Sequence, residues 1–366
     1  MKIKNIIFSF LIIPLVFLSG CSERQQIHQK LIVQGIGVDK NEKKYTLTVQ
    51  ALDFQNPLSK DEPNVKTIEI KGVSLVEALE NISKQTNLTP VYSQNLVLII
   101  GESVAEEGVN NFMDFFVRHF ETRPKVKICV TKGEASKLFK LKLNSKPLKA
   151  KNISDLIPNE LNSDILHFVS NLKNKISDPS AAWIDVESQE SGENACMKGA
   201  AIFSEDSLKG FLEGDEAFGF MLLKGVPSFG SCMVEVDEVG NVTCAVNKIS
   251  SKISAAVEES VPVFNINLDA EVSAFSVDRK FDASFDENLQ FLIRDKFSEK
   301  VTEFCESVIN KLISTESDVL NLGKILKNFS PGYFKTLNKK WQKYLKECRY
   351  KIDKKVTVTV IGKEPM

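Results

Sequence analysis

The sequence predicts an α+β fold: two to three consecutive modules of largely antiparallel sheet packed with helices, following an N-terminal export signal. Three observations predict it. At 366 residues the chain exceeds one ordinary domain of about 100 to 200 residues and has room for two or three. Its apolar share of 43% and charged share of 26% are those of a folded soluble body, neither a disordered chain nor a bundle of membrane spans. Short alternating stretches, separated by turn residues, interleave with stretches whose apolar positions repeat at three and four. The net charge of -1 supplies no field that would gather nucleic acid or an acidic substrate, so no nucleic-acid partner is expected.

The first element is the signal. Lys2 and Lys4 precede an apolar run from Ile6 to Leu18, and Leu18-Ser19-Gly20-Cys21 follows. A helix of about 13 residues spans roughly 20 Å, short of a hydrocarbon core of about 30 Å, so residues 1–20 are expected to be removed as a signal peptide. Small residues at Ser19 and Gly20 suit a peptidase pocket, and the four-residue box resembles the lipobox of bacterial lipoproteins. That resemblance implies a diacylglycerol on the Cys21 thiol, which becomes the new N-terminus. Each buried CH₂ contributes about 0.8 kcal/mol, and two acyl chains hold a protein where one is marginal. Cys21 is therefore the candidate lipid attachment site. Without residues 1–20 the chain keeps 45 basic against 48 acidic side chains, a balance of -3.

An N-terminal α+β domain is expected over 21–190. Ser22 to Gln29 reads as a polar tether. Leu31 to Val38 and Tyr45 to Phe54 are strand-like, and the polar Lys40-Asn41-Glu42-Lys43 between them makes a hairpin. Gly35-Ile36-Gly37 lacks the third glycine and the following helix of a dinucleotide fingerprint, so it belongs to the strand. Ser74 with Glu77 forms a capping box, and Leu75, Ala78, Leu79 and Ile82 share one helical face. Asn95 to Ile100 is an apolar strand. Val109, Phe112, Met113, Phe116, Val117 and Phe120 repeat as a helix packed on a sheet. Lys125 to Thr131 is a strand and Glu134 to Leu143 a helix. Leu166, Val169, Leu172 and Ile176 mark a helix within Ser163 to Ile176, followed by a strand over Ala182 to Val186.

The polar stretch Gln189 to Asn194 marks a boundary, and a middle α+β domain is expected over 195–262. It holds a strand at Met197 to Phe203, a turn at Ser204 to Ser207, and a helix from Glu213 to Leu223 ended by Gly225 and Pro227. A hairpin follows over Cys232 to Val246. A C-terminal α+β domain, 263–366, opens with the alternating strand Val263 to Phe275. A long helix from Phe285 to Ile313 turns Leu289, Leu292, Phe297, Val301, Phe304, Val308 and Leu312 inward. Helices near Leu320 to Phe329 and Tyr333 to Lys346 precede a closing strand, Lys355 to Ile361.

Six cysteines lie beyond Cys21, at 129, 196, 232, 244, 305 and 348, without zinc-ligand spacing. Cys232 and Cys244 are the nearest pair. A three-residue loop with Gly240 left-handed places Val234 opposite Cys244 and Cys232 opposite Val246, which sets the sulfurs diagonally, so buried free thiols are expected. The three histidines, His28, His119 and His167, sit on different elements, and no nucleophile, phosphate-loop or metal motif accompanies them. Ser170-Asn171-Leu172-Lys173 matches Ser-x-x-Lys by chance, with no companion motif. No catalytic centre, metal or cofactor is expected. Two basic stretches remain, Lys137 to Lys151 and Lys335 to Lys355, and the second is a candidate face for anionic headgroups or an acidic partner.

The order of these pieces resembles the Ger(x)C family, lipoprotein C subunits of nutrient germinant receptors in spore-forming bacteria. The resemblance covers nearly the whole chain. Cys21 and Gly35-Ile36-Gly37-Val38-Asp39 carry it, with Tyr45 to Gln50, Leu98-Ile99-Ile100-Gly101-Glu102, and Arg118 to Arg123 ahead of Val126 to Thr131. Lys132-Gly133-Glu134-Ala135, Lys198 to Phe203, Leu208-Lys209-Gly210, Trp341, and Val356 to Gly362 complete it, while Asp318 to Gly323 matches loosely. It implies successive α/β modules and no catalysis. It also implies an A subunit and a polytopic B subunit as partners, and placement on the outer face of the spore inner membrane. The alternative class is a lipid-anchored solute-binding protein for a transporter, which requires a cleft between two doubly wound lobes.

Overall fold

The computed structural model describes residues 27–42, 44–54, 64–119, 123–141, 148–190, 192–227, 229–236, 240–276, 287–337 and 340–360. Two sheets and the helices on them make an α+β protein. Strand β1 (Lys30–Asn41) turns directly into β2 (Lys44–Asp53), the expected hairpin, and β3 (Asn64–Gly72) adds beyond β2. Helix α1 (Leu75–Thr86) starts at Ser74, whose hydroxyl accepts the Glu77 N–H at 3.2 Å. The Glu77 carboxylate reaches back to the Val73 N–H at 2.7 Å, one residue beyond the position a standard capping box uses. Leu75, Ala78, Leu79 and Ile82 are buried, as their spacing predicts.

The short β4 (Thr89–Val91) and then β5 (Val97–Gly101) run parallel to β1. Helices α2 (Glu102–Glu107) and α3 (Asn110–His119) lead to β6 (Lys127–Thr131). Helices α4 (Ser136–Lys140), α5 (Lys149–Asp155) and α6 (Ile165–Leu172) then precede β7 (Ser180–Gln189). Strands β8 (Gly192–Ser204) and β9 (Ser207–Leu212) finish the sheet, in the order β3-β2-β1-β5-β6-β7-β8-β9 with β4 beside β1. The four central strands, β1, β5, β6 and β7, are parallel, where a largely antiparallel sheet was expected. Two-sided burial is the reason. Leu98 and Ile100 enter the core under α1 and α3, while Val97 and Ile99 enter the core on the opposite face. Strands covered on both faces lose the polar alternation that marks antiparallel edges.

Helix α7 (Gly214–Lys224) carries the chain to a second sheet of β10 (Ser231–Val236), β11 (Gly240–Glu258), β12 (Val261–Ser276) and β13 (Arg349–Val360), with β13 parallel to β12. The long α8 (Glu287–Ser314) lies on this sheet and buries Phe297, Val301, Phe304, Val308 and Leu312. Helix α7 crosses α8 with the Phe218 and Phe304 rings 5.3 Å apart, and one continuous core runs from the first sheet through α7 into the second. Helices α9 (Leu322–Phe329) and α10 (Pro331–Thr336) and a 3-10 helix at Trp341–Glu347 complete the fold.

Several expectations shift. Strands β7 and β8 pair out to Gln189 and Gly192, and Glu259-Ser260 turns β11 into β12, so the positions of both expected domain boundaries, near 190–195 and 262–263, lie between paired strands of one sheet. Polar turn residues mark a chain reversal in either setting. Cys232 pairs directly with Cys244, and Val234 with Val242, two positions away from the expected register. Gly240 is left-handed, with φ 84°, but it already pairs with Val236, so the loop closes earlier. The six described cysteines are free thiols. On α6 the buried side chains are Ile165 and Phe168, whereas Leu166 is 50% exposed. On α8 Ile293 is buried and Leu292 exposed. Val117 on α3 is also exposed, and Phe120 lies outside the described residues.

The corrected α6 face yields a contrast. Leu166→Ser is expected within about 0.5 kcal/mol of the wild type, while Phe168→Ala loses about 3–5 kcal/mol, read from urea unfolding midpoints. Equal losses in the two variants would put α6 on the other face.

Candidate functional site at the seam between the sheets

The predicted site residues scatter. Cys21 lies outside the described residues, as do the side chains of His28 and His119. His167 Nδ1 stands 2.8 Å from Asp164 Oδ1, and no serine hydroxyl or thiol among the described residues hydrogen-bonds to it. Lys173 pairs with Asp114 at 3.5 Å, so the lysine of the Ser-x-x-Lys match is engaged elsewhere. Burial pushes the thiols of Cys129 and Cys196 up, Cys232 to about 11, and Cys244, Cys305 and Cys348 to about 12, so none of them is an activated nucleophile. Among the described residues no group of three or more His, Cys, Asp or Glu could hold a metal ion.

In both basic stretches several of the described cations are paired with acids. Lys340 meets Glu205 at 2.7 Å, Lys351 meets Glu258 at 2.9 Å, Arg349 meets Glu259 at 3.7 Å and Lys355 meets Asp269 at 4.0 Å. Acids of the β11–β12 hairpin supply most of these partners, and that hairpin is distant in sequence from the stretch it neutralises. In the first stretch Lys137 pairs with Asp185 and Lys140 with Glu69, both at 2.6 Å.

The residues that resemble the family's pattern do come together, in two buried clusters. In the first, Asp39 at the end of β1 accepts the N–H groups of Ala135 at 2.6 Å and Ser136 at 3.0 Å, tying β1 to the start of α4. Burial outweighs these bonds and raises its carboxyl to about 6. Gly35 allows α4 and α5 to approach: a Cβ there would stand 2.7 Å from the Ala150 Cβ and 2.9 Å from the Phe139 ring. Glu102 accepts the Gly133 N–H at 2.7 Å and donates its own N–H to the Gly133 carbonyl at 2.9 Å.

The second cluster is the seam itself. The Asp178 N–H donates to the Asp318 carbonyl at 3.0 Å, and the Asp318 N–H returns to Asp178 Oδ2 at 2.8 Å. Asp178 also accepts the Glu205 N–H at 2.7 Å and Gln342 Nε2 at 3.1 Å. Asp318 accepts the N–H groups of Leu322 and Gly323, each at 2.8 Å, and Trp341 Nε1–H at 2.7 Å. It thereby caps α9, where the helix dipole favours a negative charge. At Gly323 a Cβ would stand 2.5 Å from the Ile176 carbonyl and 2.6 Å from Trp341 Nε1. In the sequence Trp341 and Gly323 stand apart; in the fold one carboxylate joins them. A cavity of about 290 Å³ opens beside the seam, with Asp178, Glu205, Lys175, Lys340 and Gln342 in its wall.

These clusters define a class: a two-sheet α+β protein whose buried acids serve architecture at the places where elements meet. Residues 23–186 match the family model described as spore germination protein N-terminal domain, and residues 198–362 the one described as spore germination B3/GerAC like, C-terminal. The chain belongs to the Ger(x)C family of spore germination proteins. It is similar to spore germination protein B3 of Bacillus subtilis (strain 168), 24% identical over 360 residues, covering 94% of this chain and 95% of that one. Putative spore germination protein YfkR of the same organism is 21% identical over 361 residues, covering 94% and 93%. Among solved structures, the crystal structure of the GerBC protein shares the fold with a TM-score of 0.57 and 22% identity, covering 89% of this chain and 97% of that one.

The seam has a measurable signature. Burial, with Asp178 adding to it, raises the Asp318 carboxyl from 3.8 to about 6. The folded state therefore holds that proton more tightly than the unfolded chain, and its stabilising effect is full below about pH 4 and lost as pH rises to about 6. Asp318→Asn is expected to flatten this part of the stability profile, measured by urea unfolding between about pH 4 and pH 7; a profile parallel to the wild type would remove Asp318 as its source. Trp341→Phe deletes one donor to the same carboxylate and is expected to cost about 1–3 kcal/mol, and an unchanged unfolding midpoint would contradict that.

Proposed function

We infer that the chain serves as the C subunit of a nutrient germinant receptor, a non-enzymatic lipoprotein needed for nutrient-triggered spore germination through assembly with membrane A and B subunits. One observation carries this reading: two germination family models together run from residue 23 to residue 362. The anchor is diacylglycerol on Cys21. The lipobox supports it, standing two residues ahead of the first matched position. No described helix is long and apolar enough to cross a membrane, and in this reading two acyl chains supply the membrane attachment. The folded body then stands on the outer face of the spore inner membrane, with β3, β9 and β10 as sheet edges available to partners.

Spores lacking the gene are expected to lose the fall in optical density triggered by some amino acids, sugars or nucleosides, while calcium dipicolinate still triggers them. A nutrient profile identical to the parent strain would sink the receptor reading. Cys21→Ala is expected to move the protein out of the membrane fraction and weaken germination. Normal membrane retention with normal germination in that variant would overturn the anchor.

A further inference from the structure

Helix α6, the start of β7, the last turn of α7 and the start of α9 enclose a cavity of about 150 Å³, separate from the one beside Asp178. Its wall includes Lys224, Lys324, Asn171, Asn321, Ser170 and Ser180, and no carboxylate belongs to it. The Lys324 ammonium donates to the side-chain oxygens of Asn171 at 3.0 Å and Asn321 at 3.4 Å, neutral acceptors that hold it without cancelling its charge. Lys224 retains partial surface exposure, yet its ammonium is desolvated. It has no hydrogen bond or ion pair among the described residues, and its one ring neighbour is Phe220, at 5.8 Å. Asp318 is the acid whose charge reaches it, and the oxygens of that carboxylate are already taken by three N–H donors. The neighbouring cavity is the opposite case: Lys340 there is paired with Glu205.

A desolvated ammonium without a counter-charge is costly, and proteins retain such groups when something pairs with them. We propose that this cavity binds a small oxyanion, a carboxylate or inorganic phosphate, with Lys224 and Lys324 as its charge partners and the Ser170 and Ser180 hydroxyls as further donors. The space, on the order of five waters, suits a small ion. Burial also lowers the Lys224 ammonium to about 8, a displacement that a bound anion reverses. Because α6 and β7 belong to one side of the seam and α9 to the other, the ion would tie the two together and stabilise the folded state by mass action. The inference does not depend on the receptor reading, since binding is measured on the isolated protein.

The test is isothermal titration calorimetry on the full chain in detergent, with sodium phosphate, sodium acetate and glycine as probes and sodium chloride as reference. Saturable binding of at least one probe is expected. Lys224→Met should weaken it at least tenfold and Lys324→Gln several-fold, while Lys173→Gln, outside the cavity, leaves it unchanged. Phosphate binding without acetate or glycine binding identifies phosphate as the ion, and the reverse identifies a carboxylate. The proposal is overturned if no probe gives saturable heat, or if both lysine variants bind as the wild type does. Should Lys224→Met fail to fold, Lys324→Gln decides.

Discussion

Asp178 and Asp318 are each stabilised by three N–H donors instead of by a direct ion pair, and the position of the second sheet against the first follows from that arrangement. Backbone N–H groups are rigid and directional where a lysine tail is not, so solvating a buried carboxylate this way fixes the loops that supply them. The loop before β7, the turn after β8, the start of α9 and the 3-10 helix at Trp341 all contribute. Burial raises both carboxyls, which means that the electrostatics of the seam oppose folding near neutral pH. Apolar burial must then hold the elements in place, and the continuous core through α7 is where it acts.

Much of the fold was legible in the sequence. The β1–β2 hairpin, the α1 face, the apolar β5 and the Phe-rich α3 follow from periodicity and capping, because each is decided by neighbours close in the chain. What failed had long-range causes. The α6 pattern fitted a face that included Leu166, but Phe168 won the core by meeting the Phe203 ring edge-on at 5.3 Å, a partner 35 residues away. The Cys232–Cys244 register turned on Val236 pairing with Gly240, which moves each partner by two positions. Parallel order at the sheet centre had a visible trace, the unbroken apolar run Val97-Leu98-Ile99-Ile100, which burial on both faces requires.

The candidate site was legible in a different sense. Gly35, Asp39, Glu102, Gly133, Gly323 and Trp341 drew notice as positions resembling a family pattern, but nothing in the sequence indicated which would meet. Asp178 and Lys224 drew no notice, since a lone acid before a proline and a lone lysine at a helix end are ordinary surface residues until the fold buries them. In these two clusters the family pattern marks joints between elements.

The first sheet draws β9 and the second half of β8 from the region matched by the second family model. A chain synthesised from its N-terminus therefore cannot complete its first sheet until residue 212 has emerged. The same crossing constrains exchange of parts between relatives. A hybrid joined at the polar turn near residue 191 would lay one parent's β7 against the other's β8, so viable recombination points should lie after β9, where the chain leaves the sheet for good.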